Sequence, residues 1–344
     1  MGLVNIRSMF SRFFFMSFWS LACSWNGVSN ETGKVMTVAG PISVDELGKT
    51  LAHEHVLVDF VGAEETGYHR WGRNEVIQKT LPYLIEVKEM GYDSLFECTP
   101  AYLGRDPVLL SILSDLTGIN FITNTGFYGA RENQFIPEMI QSATSGELAS
   151  IWIREFQFGI EKSGIKPGFL KIGVDRDERL SDFHRKLVRA AARTHLATGM
   201  AIACHTGPTE AVFEIGEILA EEGAPLEALI WVHATRDISD NHLRAARLGM
   251  WISIDNLREN AQLLRSNVER IKNLKKAGFL DRILVSQDAG WYRPLEKDGG
   301  NFAPYRFVES NLIPELLRNG FSEKDINQLM IHNPGQAFAL RARN

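Results

Sequence analysis

From Lys34 onward the chain alternates short apolar, β-rich runs with longer stretches whose apolar positions recur at helical spacing. The runs are Leu51–Asp59, Ser94–Thr99, Asn120–Gly126, Gly168–Val174, Met200–Thr206, Ala228–Ala234, Trp251–Asn256 and Arg282–Asp288. Short continuous apolar runs of this kind fit strands buried on both faces. Between them, helices are expected at Val76–Met90, Arg179–Thr198 and Asn241–Leu248. Several such stretches close on glycine, at Met90-Gly91, Thr198-Gly199, Leu248-Gly249 and Ala277-Gly278, the residue that ends a helix in a left-handed cap. Strands alternating with helices pair in parallel through crossover units. Eight such runs predict an α/β fold, a (β/α)8 TIM barrel, whose typical size is about 250 residues. Lys34–Ser43 reads as a short N-terminal β-hairpin ahead of it, so that residues 34–344 form one extended barrel domain. A doubly wound open sheet is the competing architecture.

The first residues follow another pattern. Met1–Arg12 carries Arg7 and Arg12 and no acidic residue, and Phe13–Cys23 carries no charge. A basic start, an apolar stretch and small residues near Ala22 are the features of an export signal. Residues 1–27 are therefore expected to be a signal and leader, and the protein to be exported to the periplasm. The apolar stretch is shorter than the about 20 residues of a membrane span, so no stable span is expected in the mature protein. A frayed hydrophobic N-terminus is the alternative. A lipid anchor on Cys23 is weaker, because Ser20 stands where a branched aliphatic residue is wanted.

Composition narrows the function. The 344 residues carry a formal net charge of −5, which leaves no basic footprint for nucleic acid. Three cysteines are too few for a disulfide scaffold. A small-molecule substrate is the expected partner.

In a barrel, chemistry gathers at the C-terminal ends of the strands. There the runs hold His53 and His55, then Glu97, Lys171, His205, His233, Asp255 and Asp288. Residues i and i+2 of a strand share a face, so His53 and His55 face the interior together and Glu54 faces out. Two neutral imidazoles aimed at one point suit a divalent metal; two satisfied core histidines are the alternative. His205, His233 and Asp288 at equivalent strand ends favour the metal. Lys171 is the unusual member, since an ammonium beside cations is electrostatically wrong. Carboxylation by CO₂ would give a carbamate able to bridge two cations. With Asp288 and hydroxide it would nearly balance two divalent ions, whereas an ammonium leaves a large positive excess. A lysine reaching solvent at the rim is the other reading.

The segment Gly48-Lys49-Thr50-Leu51-Ala52-His53-Glu54-His55-Val56 resembles the first signature of the phosphotriesterase family of the amidohydrolase superfamily. The resemblance continues through Gly104-Arg105-Asp106, Gly168–Lys171, Cys204-His205-Thr206, Trp231–His233, Val285–Asp288 and Asn333-Pro334. It implies a two-metal (β/α)8 hydrolase. One ion is then held by His53, His55 and Asp288, the other by His205 and His233, with N6-carboxylated Lys171 and a hydroxide bridging them. The ions are expected to be zinc, and the chain a homodimer. Asp288 would accept the hydroxide's proton and shuttle it outward. Glu97 and Asp255 are placed behind the ligands; for Glu97, orienting a ligand histidine and plain structural hydrogen bonding stand equal.

Two departures bear on substrate. The relatives carry an aspartate three residues after the histidine matching His233, where this chain has Arg236, unless a one-residue gap brings in Asp237. Asn256 follows Asp255 where the phosphotriesterase has a histidine. Both weaken the case for organophosphate turnover, and Arg236 either favours an anionic substrate or forms a surface pair with Asp237 or a glutamate. Trp291, Tyr292 and Arg293, with Phe127 and Tyr128, are candidate pocket walls, or else loop packing. His69, His184, His195, His242 and His332 are assigned to structure, and Cys98 and Cys204 are expected to point toward the helices. The expected activity is cleavage of an ester or lactone by the metal-bridging hydroxide. The alternatives are a phosphotriesterase, a mononuclear deaminase, which would need no Lys171, and a metal-free binding protein.

Overall fold

The structure, a computed structural model, describes residues 31–175, 177, 179–206, 209–236 and 241–342. The expected export segment and Asp237 lie outside the described residues.

The described chain is mixed α/β with parallel sheets, consistent with a TIM-barrel-like fold. Strands β1 (Lys34–Thr37) and β2 (Gly40–Ser43) form the antiparallel hairpin expected at the N-terminus. Then come β3 (Thr50–Leu57), β4 (Ser94–Glu97), β5 (Asn120–Ile122), β6 (Asn124–Thr125), β7 (Phe169–Gly173), β8 (Ile202–His205), β9 (Leu229–Val232), β10 (Trp251–Ile254) and β11 (Ile283–Val285). Each lies within one of the eight apolar runs or overlaps it by all but a residue, and the third run is split at Thr123 into β5 and β6. One sheet has the order β11-β10-β9-β8-β7-β6. The other joins β3, β4 and β5 to a strand that the apolar pattern did not announce, β12 (Gly290–Tyr292). Every pairing in these two sheets is parallel, and the runs are buried except at the end residues Asn120, Asn256 and Arg282.

The layers follow from strand alternation. Ala52, Phe96, Ile122, Phe169, Ala203, Ile230, Trp251 and Leu284, from all eight runs, meet in one apolar cluster. Their neighbours of opposite parity, such as Leu51, Leu95, Phe121, Leu170, Cys204, Trp231, Ile252 and Val285, pack in the larger cluster that includes the helices. Cys204 points toward the helices as expected, but Cys98 does not. It belongs to the inner cluster with Phe96, because two residues along a strand return to the same face.

The helix Asp182–Thr198 shows how sequence sets the boundaries. Ser181 Oγ accepts from His184 N at its start, and Gly199 closes it at φ 79°, a conformation that costs glycine little. Short loops between such helices and strands leave the polar strand ends together on one side.

Candidate metal centre

His53, His55, Lys171, His205, His233 and Asp288, drawn from five separate runs, line one cavity of about 710 Å³. All six are nearly or fully buried. The imidazoles form a row: ring centroids are 5.5 Å apart for His55 and His53, 5.2 Å for His53 and His233, and 4.6 Å for His233 and His205. His233 and Asp288 adopt left-handed backbone angles, φ 62° and 58°. Such strain in non-glycine residues concentrates at functional sites.

Hydrogen bonds behind the row decide what the row presents. Asp255 is fully buried and accepts from four groups: His53 Nδ1 at 3.0 Å, His233 Nδ1 at 2.6 Å, His233 N at 3.1 Å and Ser253 Oγ at 2.7 Å. Burial alone would raise its carboxyl. His233 and His53, by charge and by hydrogen bond, hold it well below the usual carboxylate range. An ionised carboxylate only accepts, so both histidines must donate from Nδ1 and turn the lone pair of Nε2 into the cavity. Burial, and then Lys171, push His53 down to about 4, which keeps its imidazole neutral near pH 7.

His55 is set by a longer relay. Thr99 Oγ1 donates to Glu97 Oε1 at 2.6 Å, so it can only accept from His55 Nδ1 at 2.8 Å. Glu97 also accepts from Val56 N and Thr99 N. It thus orients a histidine, through a threonine that motif reading missed.

His55 Nε2 then lies 3.1 Å from Asp288 Oδ1; in the neutral tautomer a lone pair there faces a lone pair. The distance is that of an ion pair, yet among the described residues Asp288 Oδ1 is buried and accepts no hydrogen bond of good geometry. Two acceptors directed at one point call for a cation between or beside them. Ligand atoms of His53, His55 and Asp288 lie within 4.8 Å of one another, as do those of His53, His233 and Asp255. In the second group the Asp255 oxygens are already engaged by the Nδ1 protons, so the first group is the better candidate for a metal. The residues present fit a divalent ion.

Lys171 is 2% exposed. Its Nζ stands 3.5 Å from His53 Nε2, and no carboxylate of the described residues lies within ion-pair distance of it. A lysine reaching solvent at the rim is therefore not what the structure has. His205 faces Tyr128, whose hydroxyl is 3.2 and 3.1 Å from its two ring nitrogens.

The segment carrying Asp288 is fixed to β3. Asp288 N donates to His53 O and His55 N to Ala289 O. Glu54, expected to face out, is fully buried behind the strand. Its carboxylate accepts from Ser286 Oγ, Gln287 N and Ala289 N at 2.6, 3.1 and 2.7 Å. Burial pushes Glu54 up to about 8 against the pull of these bonds. A Cβ on Gly290 would collide with the His55 carbonyl, so only glycine lets β12 approach β3 here.

Of the proposed pocket walls, Tyr128 and Trp291 line the cavity and Trp291 packs on His55 at 5.2 Å. Phe127 and Tyr292 do not line it: Phe127 packs on Trp152 at 5.4 Å, and Tyr292 is buried in the core as part of β12. Arg293 opens on an adjoining cavity and lies 3.5 Å from Glu296. The backbone of Arg236 falls in a short 3-10 turn, Ala234–Arg236; its side chain lies outside the described residues. The cavity is also lined by Cys98 and Asn256, near the ends of their runs, and by Phe60, Arg131 and Arg258, from loops where periodicity gives no signal. His184, His195 and His242 are buried and bonded to the carbonyls of Gly129, Met200 and Ala234, as assigned.

Comparison with known proteins agrees with this geometry. A phosphotriesterase family profile matches residues 33–338, and the chain belongs to that family. It is 28% identical over 306 residues to the phosphotriesterase homology protein of Escherichia coli (strain K12), covering 86% of this chain and 100% of that one. It is 28% identical over 355 residues to an N-acetyltaurine hydrolase of Xenopus tropicalis, covering 90% and 99%. The N-acetyltaurine hydrolase of Homo sapiens is 26% identical over 351 residues, covering 90% and 99%. Family and relatives indicate a hydrolase.

Proposed function

We propose that this phosphotriesterase-family chain is a binuclear metal-dependent hydrolase that cleaves an ester or lactone bond. The observation that carries the reading is the set of imidazole lone pairs and the donor-free Asp288 oxygen converging on one cavity. His53, His55 and Asp288 would hold one ion and His205 and His233 the other, with zinc the expected metal. When bound, the ions supply the Lewis acid that activates water and polarises the substrate's carbonyl. Asp288 would accept the proton at Oδ2, the oxygen not turned to the ion, and pass it outward. Asp255 and Glu97 keep three imidazoles in the tautomer that presents Nε2. Lys171 is N6-carboxylated in this reading: a buried amine with no counter-charge among the described residues is costly, whereas a carbamate anion would be paired by the two ions.

The same reading includes a closed barrel over residues 34–344. The inner cluster drawn from all eight runs supports closure, as do the backbone bonds between residues 288–289 and β3. It also includes export directed by residues 1–27. Among the described residues no helix is long and apolar enough to cross a membrane. The names of the N-acetyltaurine hydrolases favour a second reading, hydrolysis of an N-acyl amide at the same centre. A screen of the metal-loaded protein against lactones, aryl esters, N-acetyl amines and phosphotriesters tests both. Turnover of esters or lactones is expected. Amide turnover alone would move the assignment to the second reading, and no metal-dependent hydrolysis would refute both.

A further inference from the structure

The loop that follows β6 makes an unusual turn at the mouth of the cavity. Arg131, Glu132 and Asn133 are consecutive left-handed residues, with φ 61°, 57° and 61°. The turn is pinned. Asn133 N donates to Gly129 O, Gln134 N to Arg131 O, and Glu132 N to both Asp175 oxygens at 3.2 and 3.3 Å. Three such residues in a row cost free energy that the surroundings must offset, and the side chain presented there is a guanidinium.

Among the described residues that guanidinium has an aromatic seat and no ion pair. It lies 5.0 Å from the Phe60 ring centroid and 6.0 Å from that of Phe135, in reach of cation–π attraction. No carboxylate of the described residues is within ion-pair distance of it. Two other arginines, Arg70 and Arg105, are paired with Asp59 and Glu155, whereas Arg258, in the same lining, makes no ion pair among the described residues. Phe60 in turn packs on Trp291 at 5.5 Å, and Trp291 on His55. One continuous aromatic wall thus runs from the candidate metal ligand to the Arg131 guanidinium. Glu132, Asp175 and Asp177 also line the mouth and oppose an anion except where a cation stands. Beyond the buried Lys171, the described lining offers Arg131 and Arg258 as cations.

We infer that Arg131 is the specificity-determining residue of an anion subsite at the mouth, taking a terminal carboxylate or sulfonate of an acyl substrate whose body lies along Phe60 and Trp291. The inference rests on the hydrolase reading of the same cavity. A planar fork of donors matches such oxyanions in paired hydrogen bonds, and the aromatic seat fixes the fork before substrate arrives.

The test compares 4-acetoxybenzoate with its neutral methyl ester on metal-loaded protein, for wild type, Arg131→Met, Arg131→Lys and Arg258→Met. Methionine keeps packing on Phe60, and thermal melts check that each variant folds. The ratio of kcat/KM for the anionic over the neutral ester should fall about tenfold or more in Arg131→Met, through KM. Arg131→Lys should recover part of it, and Arg258→Met should change it less. An unchanged ratio in Arg131→Met, or a larger effect of Arg258→Met, would overturn the inference. If wild type cleaves neither ester, the hydrolase reading is decided by the wider panel of lactones, esters, amides and phosphotriesters. Calorimetric binding of benzoate against benzamide then still decides the subsite. Wild type should prefer benzoate and Arg131→Met should lose that preference; equal preference in both proteins would retire it.

Discussion

Replacing Asp255 by asparagine changes almost no volume and should nonetheless dismantle the candidate metal centre. The Asp255 carboxylate accepts from Nδ1 of both His53 and His233. An asparagine offers one accepting oxygen and one donating amide, so only one imidazole keeps its partner. The other must move its proton to Nε2, which points into the cavity and then cannot bind a cation. Loss of such a supporting partner lowers metal affinity by about 10- to 100-fold, equivalent to about 1.4–2.7 kcal/mol. The opposed amide and Nδ1–H also leave one buried donor without a partner, costing the metal-free protein about 1–3 kcal/mol. Competition with a chromophoric chelator measures the affinity, and long-range proton–nitrogen NMR reads the tautomers. Asp255→Asn with wild-type metal affinity, and with both Nε2 atoms still unprotonated, would refute the argument that this carboxylate sets the histidines.

Other outcomes follow from the same geometry. Lys171→Ala should lose most metal and activity, with partial recovery in added bicarbonate or short-chain carboxylate; two tightly held ions and normal turnover would remove Lys171 from the centre. Asp288→Asn should lower kcat by about 100-fold or more with little change in melting temperature, and retained kcat with an unchanged acidic limb of the pH profile would exclude it as proton acceptor. Asp325 tests the pH dependence of folding. Burial would raise its carboxyl, but Lys275 and the Ser322 cap more than offset this and lower it to about 2, below its ordinary 3.8. It should therefore stabilise the fold above about pH 4 and cease to do so as pH falls through 2. Asp325→Asn should cost about 1–2 kcal/mol near neutral pH and less than half of that at pH 2, where the folded carboxyl is half protonated, in denaturant melts; a difference independent of pH would contradict the assignment.

What the sequence reveals follows from the range of each interaction. The eight runs and the helix stops are local, set by side-chain periodicity and glycine, and they appear where expected. The histidines, Lys171 and Asp288 are legible because a strand's alternation and a strand's end fix which residues share a space. What joins them is not. Thr99 completes the relay from Glu97 to His55 across two strands, and no spacing announces a hydroxyl that must accept. Glu54 looks like the outward member of an alternating triplet, yet the chain after β11 returns to cover it and uses its carboxylate as a clasp. Cys98 shows a smaller error of parity. Gly104-Arg105-Asp106, part of the family signature, is architectural here: Arg105 holds Glu155 and the Asn124 carbonyl, and Asp106 caps the helix Pro107–Thr117. β12 escaped because three residues after a glycine carry no period. Arg131 owes its place to a run of left-handed residues that only tertiary contacts impose.

The most direct test of the account is the metal-to-chain ratio. Purified protein would be loaded with zinc in the presence of bicarbonate, passed into metal-free buffer and analysed by plasma emission. The account predicts about two ions per chain, the number for which paired ligand sets and a bridging carbamate are proposed. One ion would contradict the binuclear centre, and none would contradict the metal-dependent hydrolase itself.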